Sequence, residues 1–235
     1  MYKVDLSGRI AVVTGGGRGI GRHIADALVT CGASVAIVGR SQATLDEACA
    51  DIGEPCRGFG CDLRDAASVS RMAEAVSLDL GAPDIVINNA ATGWASTRLV
   101  DMELDMWRDT MDTNLTGVFL VTKAFLPAMI DRGRGDVVMI GSTSGLKGDP
   151  GFSAYAASKF GLRGLAQSLF YEVREHNVRV SMVNPSATDK GEDFDRRTGA
   201  GVHLHAADVA ATVIHICGLP RRTLIHEVNL WGTNP

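Results

Sequence analysis

The chain has 235 residues, of which 46% are hydrophobic and 21% charged, and these proportions are those of an ordinary globular protein. A net charge of −4, with arginines scattered along the chain, argues against a nucleic-acid-binding protein. This length is normal for one α/β domain that needs neither metals nor disulfides, so we expect a single domain over residues 1–235.

The cysteines and the N-terminal segment bear on the cellular compartment. The five cysteines are odd in number and include no C-x-x-C pair, which indicates reduced thiols. The N-terminal residues MYKVDLSGR lack the apolar stretch of a signal peptide, and we identify no apolar run of membrane-spanning length. We therefore expect a cytoplasmic protein that binds neither a membrane nor a nucleic acid.

Short apolar runs alternate with helical stretches along the chain. Strands are predicted at residues 10–13, 35–38, 56–60, 85–87, 137–140, 178–183 and 224–228. Helices are predicted from the glycine-rich turn through Leu28, at 41–52 with Ser41 as N-cap, and at 66–80, 104–131, 152–175 and 206–217. Pro127 is expected to kink or stop the long fourth helix.

Most of the predicted strands are continuous apolar runs, which indicates burial on both faces, as in a parallel sheet covered by helices. Regular alternation of strands and helices with right-handed crossovers gives a doubly wound sheet. We therefore predict a single α/β domain of the Rossmann type, with seven parallel strands and helices on both faces. The charged stretch 189–197 is interpreted either as a solvated loop or as a substrate lid.

A glycine-rich turn joins the first strand to the first helix, with the spacing Gly15-x-x-x-Gly19-x-Gly21. Glycine allows positive φ and a close approach of the backbone to a ligand. The helix N-terminus behind the turn offers free N–H groups and a positive dipole end to a pyrophosphate. After the first strand of an α/β chain, this turn predicts dinucleotide binding, and a tight turn without a ligand is the alternative.

The residues at the end of the second strand predict which dinucleotide binds. A carboxylate there would bind the ribose 2′-hydroxyl of NAD. This chain has Gly39 and Arg40 instead, with Arg18 in the glycine turn, and guanidinium groups bind phosphate through paired N–H bonds. We therefore predict NADP(H) in preference to NAD(H), the alternative being that Arg40 is an exposed residue at the start of a loop.

Tyr155 and Lys159 lie four residues apart in a predicted helix and so share one face of it. A free tyrosine has a pKa of about 10, and a nearby positive charge lowers that pKa towards neutrality. The pair is therefore a sensible acid/base for a carbonyl or an alcohol, although Y-x-x-x-K alone occurs in many helices.

Other polar residues follow the predicted strands at the same edge of the sheet. Ser142 follows the fifth strand and residues 88–90 follow the fourth, at the carboxyl edge where open α/β sheets bind ligands. Asn114 lies inside the long helix, although asparagine is a poor helix former. It is interpreted either as a surface residue or as a polar group that serves a water molecule or a helix kink.

Together these motifs resemble those of the short-chain dehydrogenase/reductase family over nearly the whole chain. The family's T-G-x-x-x-G-x-G corresponds to 14–21 and its N-N-A-G to 88–91. Its catalytic asparagine, serine, tyrosine and lysine correspond to Asn114, Ser142, Tyr155 and Lys159. The resemblance implies hydride transfer between a nicotinamide cofactor and a small carbonyl or secondary alcohol.

The resemblance also implies a role for each residue. Tyr155 exchanges the proton with the substrate oxygen and Ser142 holds that oxygen. Lys159 lowers the pKa of the tyrosine and binds the nicotinamide ribose, while Asn114 supports a water in a proton relay. Asp62 contacts the adenine. The complete predicted cofactor set is Gly15, Gly17, Arg18, Gly19, Ile20, Gly21, Arg40, Asp62, Leu63, Asn89, Ala90, Tyr155, Lys159, Pro185 and Thr188.

The chain departs from the family pattern at three positions. Ala91 replaces the glycine of N-N-A-G, Ser186 replaces that of N-P-G, and Lys190 stands where the family has a threonine. Thr188 is the candidate for the nicotinamide carboxamide contact that the family's threonine would make. No metal is expected, because His203 and His205 lack a matching carboxylate motif.

The substrate and the possibility of a non-enzymatic role stay open at this point. Candidate substrates are 3-oxoacyl thioesters, sugars or polyols, steroids and small ketones. The pocket is predicted from 92–98, 143–152 and 186–200, including Trp94, Leu146, Lys147, Asp149 and Phe152. The alternative function is a dinucleotide-binding scaffold or regulator without turnover.

The helices at 104–131 and 152–175 show apolar residues on more than one face, which suggests a partner subunit. These residues are Phe119, Phe125, Met129, Leu162, Leu165, Leu169 and Phe170. The resemblance implies pairing through these two helices as a homodimer or homotetramer. The alternative is that all of these residues belong to the core.

Overall fold

Seven parallel strands form one sheet in the computed structural model, which describes residues 4–93, 95–189 and 203–233. The strands are β1 Ile10–Thr14, β2 Ser34–Gly39, β3 Cys56–Gly60, β4 Ile85–Asn88, β5 Gly135–Ile140, β6 Val178–Pro185 and β9 Glu227–Leu230. Their order in the sheet is β3-β2-β1-β4-β5-β6-β9. A separate pair consists of β7 Thr188–Asp189 and β8 Leu204–His205. The prediction of a seven-stranded, doubly wound parallel sheet is confirmed.

Helices cover both faces of the sheet. They are α1 Gly19–Thr30, α2 Gln42–Ile52, α3 Ala66–Asp79, α4 Leu104–Met111, α5 Gly117–Asp131, α6 Ser153–Val173 and α7 Ala206–Gly218. One core layer holds α3, α5 and α6 against the sheet, and the other holds α1, α2 and α7. The predicted N-cap of α2 is confirmed, because Ser41 Oγ accepts a hydrogen bond from the Thr44 N–H at 3.3 Å.

The predicted helix 104–131 is three segments rather than one. A π-helical turn over Asp112–Thr116 separates α4 from α5 and carries Asn114, which is fully buried. Pro127 lies inside α5, which continues to Asp131, so the prediction that it stops the helix is wrong. Packing of the α5 side chains on the sheet outweighs the hydrogen bond that the proline removes.

Residues Leu104–Asp131 are also long and apolar enough, by length and composition, to cross a membrane, so the expectation that no run has this property is wrong. The cause is that charged residues cluster in α4, whereas Lys123 is the one charged residue in 113–130. Phe125 and Met129 of α5 pack against the sheet. The α5 part of this segment is therefore a core helix.

The last strand begins three residues later than predicted, at Glu227 instead of 224. The preceding segment is held by Arg179, whose Nη1 donates to the carbonyls of Leu219 at 3.0 Å and Thr223 at 3.1 Å. These bonds hold the chain just before the predicted strand, and the His226 carbonyl accepts from the Met182 N–H of β6 at 2.9 Å. The residue-by-residue pairing with β6 then runs from Glu227 to Leu230.

Most of the predicted second apolar face lies in the core. Phe125, Met129, Leu162 and Leu169 are buried beneath the sheet, and Leu165 and Phe170 pack against the same cluster. Phe119 is different, because 46% of it is exposed. Phe160 of α6, which the sequence analysis did not name, is 45% exposed.

Candidate active site

The glycine turn between β1 and α1 has the geometry that its sequence predicts. Gly15 and Gly19 have φ values of +66° and +55°, which residues other than glycine rarely adopt. A Cβ at Gly21 would lie 2.3 Å from the Gly15 carbonyl oxygen, so the third glycine allows the helix to pack on the turn. The turn thus leads directly into the N-terminus of α1 at Gly19, where backbone N–H groups are available to an anion.

Thr14 ties this turn to the end of β4. Its hydroxyl donates to the Ile87 carbonyl at 3.3 Å and accepts from the N–H groups of Asn89 at 2.9 Å and Ala90 at 3.1 Å. Asn89 Nδ2 donates back to the Thr14 carbonyl at 2.9 Å. The ends of β1 and β4 therefore form one rigid floor, which includes the predicted cofactor residues Asn89 and Ala90.

Charged side chains surround the carboxyl ends of β2 and β3. Arg18 and Arg40 are both exposed, as binding of a phosphate requires. Asp62 accepts hydrogen bonds from Arg64, which hold its pKa down at about 2 against the effect of burial, and Arg40 acts in the same direction. Arg64 was not predicted, because its role depends on partners that the local sequence does not mark.

The other predicted cofactor residues line the same edge or support it. A Cβ at Gly17 would come within 3.1 Å of Thr44, so the turn packs closely on α2. Leu63 is a core residue and Ile20 packs against the core. Two further predicted cofactor residues, Pro185 and Thr188, lie at and after the end of β6. Pro185 ends the strand, and the Thr188 hydroxyl donates to the Ser186 carbonyl at 2.9 Å.

Ser142, Tyr155 and Lys159 come together where β5 ends and α6 begins. The side chains of Ser142 and Tyr155 are hydrogen-bonded, and Ser142 Oγ also accepts from the Ser144 N–H at 3.1 Å. Lys159 Nζ donates to the Ile140 carbonyl at 2.8 Å and lies 5.6 Å from the centroid of the Tyr155 ring. The structure therefore assembles the predicted serine, tyrosine and lysine into one cluster.

Burial dominates the acid–base properties of this cluster. It raises the pKa of Tyr155 to about 12, and the hydrogen bond with Ser142 acts in the opposite direction. It lowers the pKa of Lys159 to about 8. The two causes of the Tyr155 shift are burial and the bond with Ser142, so the expectation that Lys159 lowers the pKa of Tyr155 stays a prediction. At neutral pH the phenol is protonated, which is the form that can donate a proton.

Lys159→Met is expected to stabilise the folded protein at neutral pH by about 1–3 kcal/mol, because burying the ammonium opposes folding. The folded pKa of about 8 lies below the ordinary 10.5, so between these values the unfolded chain binds more protons. Wild-type stability therefore rises relative to the variant through this pH window. Urea unfolding of both proteins at about pH 7 and pH 10 measures the difference, and a gap that fails to shrink contradicts the assignment.

Asn114 is buried inside the π-helical turn and joins the catalytic helix to the loop after β4. Its Oδ1 accepts from the Thr92 N–H at 2.8 Å, and its Nδ2 donates to the Thr92 carbonyl and to Ser158 Oγ, both at 3.0 Å. Ser158 in turn donates to the Tyr155 carbonyl at 2.7 Å. The interpretation of Asn114 as a surface residue is wrong, and its amide instead holds the loop at Thr92.

Several other predicted positions have a structural role or fall outside the described residues. His205 caps α7, since its side chain accepts from the Ala207 N–H and its own N–H donates to Asp208 at 2.8 Å. Among residues 4–93, 95–189 and 203–233, no cluster of three or more His, Cys, Asp or Glu side chains is suited to a metal. Trp94, Lys190 and the rest of the stretch to residue 197 lie outside the described residues.

Comparisons with known proteins agree with this geometry. The family model described as short chain dehydrogenase matches residues 9–198, which is more than half of the chain. A 3-oxoacyl-(acyl-carrier-protein) reductase FabG of Haemophilus influenzae is 36% identical over 199 residues, covering 84% of this chain and 82% of the relative.

Solved structures show the same similarity over almost the full length. A metagenomic short-chain oxidoreductase in complex with NADP superposes with a TM-score of 0.87 at 33% identity, covering 98% of this chain and 99% of that one. The closed form of a serine dehydrogenase complexed with NADP+ gives a TM-score of 0.87 at 27% identity, covering 94% of both chains. The chain therefore belongs to the short-chain dehydrogenase/reductase family and is an NAD(P)-dependent oxidoreductase.

Proposed function

We propose that the protein is an NADPH-dependent reductase of carbonyl compounds, with Tyr155 as general acid. The observation that carries this proposal is the buried cluster of Ser142, Tyr155 and Lys159 at the sheet edge that also holds the glycine turn. A scaffold without turnover would not need a hydrogen-bonded serine and tyrosine beside a buried lysine. The same residues support the reverse oxidation of a secondary alcohol.

The residues at this edge fit a dinucleotide. The backbone turns with positive φ at Gly15 and Gly19, and no side chain caps the N-terminus of α1. The N–H groups of the first helical turn can therefore serve an anion. Gly15, Gly19 and the floor at Asn89 and Ala90 would hold the pyrophosphate and the adjoining riboses. When bound, the nicotinamide supplies the hydride.

The protein's own part in the reaction is to position the carbonyl and deliver a proton. Ser142 and Tyr155 would both donate hydrogen bonds to the substrate oxygen. As the carbonyl carbon is reduced, the phenolic proton moves to that oxygen and leaves a phenolate. A protonated Lys159 beside the tyrosine stabilises that phenolate, so its charge assists the step.

The arginines near the adenosine ribose support NADP(H) over NAD(H). Gly39 ends β2 without a carboxylate, and the exposed Arg40 follows it, with Arg18 exposed in the glycine turn. The acidic Asp62 nearby is paired with Arg64 at 2.6 Å, so its charge is compensated rather than directed at a 2′-phosphate. Two of the similar structures contain NADP or NADP+, which agrees with this choice.

We propose 3-oxoacyl thioesters as the first substrate class to test, because the Haemophilus relative carries the name of a 3-oxoacyl reductase. The test is a panel of 3-oxoacyl thioesters, sugars, steroids and small ketones, each with NADPH and with NADH, followed by the absorbance of the reduced nicotinamide. We expect NADPH-dependent turnover of at least one carbonyl. Binding of NADPH without turnover of any class would favour a scaffold.

Exposed aromatic residues support the proposal of a homodimer or homotetramer, built in the cytoplasm from copies of this chain. Phe119 of α5 and Phe160 of α6 are each about half exposed, on the helices that are predicted to pair. Large apolar side chains of this kind are expected to be covered by a partner.

The double variant Phe119→Glu/Phe160→Glu is expected to dissociate the oligomer, because it would bury four charges in a two-fold interface. Light scattering over a wide concentration range measures the mass. Leu78→Glu is the control, since Leu78 is 81% exposed on α3 and should leave the mass unchanged. A wild-type protein that is monomeric at all concentrations would refute the oligomer.

A further inference from the structure

Arg64 forms hydrogen bonds with two carboxylates that are far apart in sequence, Asp62 after β3 and Asp109 on α4. Its Nε donates to Asp62 Oδ1 at 2.9 Å, and its Nη2 to Asp62 Oδ2 at 2.6 Å. Its Nη1 donates to Asp109 Oδ1 on α4 at 2.5 Å. One guanidinium therefore joins the turn after β3 to the helix that leads into the π-helical turn with Asn114.

These contacts determine which part of the Asp62 carboxylate can serve a ligand. A carboxylate offers about four acceptor positions, two on each oxygen. Asp62 Oδ1 accepts from the Arg64 backbone N–H at 3.0 Å and from Arg64 Nε. Oδ2 accepts from Nη2, with a longer contact of 3.2 Å from Nε. Nε carries a single hydrogen and its shorter contact is with Oδ1, so one acceptor position on Oδ2 is left for a ligand.

We propose that Arg64 is a positioning residue for the adenine of the cofactor, fixing the Asp62 carboxylate so that Oδ2 accepts from the adenine amino group. This inference rests on the proposed binding of a dinucleotide with its adenine at Asp62. In this proposal Arg64 acts on the adenine through Asp62, whereas Arg40 is proposed to bind the 2′-phosphate. The low pKa of Asp62, set mainly by its hydrogen bonds from Arg64, keeps the acceptor ionised at any working pH.

The planar fork of arginine is the property that this role requires. Two parallel N–H bonds fix the plane of a carboxylate, whereas the single ammonium of lysine acts as a point charge. Because Arg64 is paired with both Asp62 and Asp109, its charge is compensated and is not directed at a 2′-phosphate. Loss of Arg64 should therefore affect NADPH and NADH alike.

The experiment compares cofactor affinities of the wild type and Arg64→Ala by fluorescence titration. We expect the Kd values of NADPH and NADH to rise by the same factor, about threefold to tenfold, as the loss of one oriented charged hydrogen bond implies. Reduced nicotinamide mononucleotide, which lacks the adenine, should bind both proteins equally. Arg64→Lys should resemble Arg64→Ala, because it keeps the charge and loses the fork.

Two further variants separate positioning of Asp62 from other roles. Asp109→Asn breaks the pair with α4 but leaves the fork on Asp62, so its Kd values should stay within about twofold of wild type. Arg64→Ala/Asp62→Ala should bind no more weakly than Asp62→Ala, because Arg64 acts through that carboxylate.

Three results would overturn the assignment of Arg64. The first is that Arg64→Ala weakens the binding of NADPH but not of NADH. The second is that it weakens the binding of reduced nicotinamide mononucleotide as much as that of the dinucleotides. The third is that the losses of affinity from Arg64→Ala and Asp62→Ala add up in the double variant. A wild-type protein that binds neither dinucleotide would instead contradict the proposed function itself, so the two failures are distinguishable.

Discussion

Tyr155→Phe is expected to lower the rate of carbonyl reduction by about 10²- to 10⁴-fold, the usual contribution of a positioned general acid. The substitution removes only the phenolic hydroxyl from a buried side chain, so packing of α6 is retained. It abolishes the hydrogen bond with Ser142 and leaves no group at that position to give a proton to the substrate oxygen. The effect should fall on kcat, with the Kd for NADPH unchanged.

Steady-state kinetics with a substrate from the carbonyl panel provide the measurement. Tyr171→Phe is the matched control, because Tyr171 lies on the same helix and is 69% exposed. Its ring contacts Phe170, which is not part of the Ser142, Tyr155 and Lys159 cluster. It should retain wild-type turnover. If Tyr155→Phe also retains near wild-type turnover, Tyr155 is not the acid.

Arg40→Ala is expected to weaken NADPH binding about tenfold to a hundredfold and to leave NADH binding nearly unchanged. A charge-assisted hydrogen bond contributes roughly 1.5–3 kcal/mol, and each 1.4 kcal/mol corresponds to a factor of about ten. The contact would be made only with the 2′-phosphate, which NADH lacks. Arg18→Ala should have a smaller effect, because Arg18 lies on the turn rather than at the end of β2.

Titration of both reduced cofactors into wild type and variant measures this preference. Arg71→Ala is a control for loss of a positive charge, since the Arg71 side chain is 71% exposed on α3 and its nearest ion pair is at 4.0 Å. Raising the salt concentration should weaken NADPH binding more than NADH binding. Equal affinity of the wild type for the two cofactors would refute the preference.

The sheet could be predicted because most of its strands are continuous apolar runs separated by clear helices. A helix kink at Asn114 was one of the alternatives, but the π-helical turn over Asp112–Thr116 was not predicted. The contacts of Asn114 in this turn are with Thr92 and Ser158, which lie 22 and 44 residues away in sequence. The start of β9 at Glu227 was also missed, and the segment before it likewise has a long-range contact. Arg179 holds the preceding segment from 40 residues or more away.

The candidate site was predictable where a short motif carries its own geometry. The turn from Gly15 to Gly21 and the pair Tyr155 and Lys159 are of this kind. Burial is not visible in a motif, and it is burial that raises the pKa of Tyr155 and lowers that of Lys159. Arg64 was missed because nothing in the local sequence marks its second carboxylate partner, Asp109.

The central claim is that Tyr155 and its neighbours direct a hydride from NADPH to a carbonyl carbon. The most direct measurement uses NADPH that carries deuterium at both C4 positions of the nicotinamide, incubated with the preferred carbonyl compound and wild-type protein. The account predicts an alcohol with one deuterium bound to the former carbonyl carbon, formed at a rate that Tyr155→Phe lowers at least about a hundredfold. Absence of that alcohol with every carbonyl class, or an alcohol without the deuterium, would contradict it.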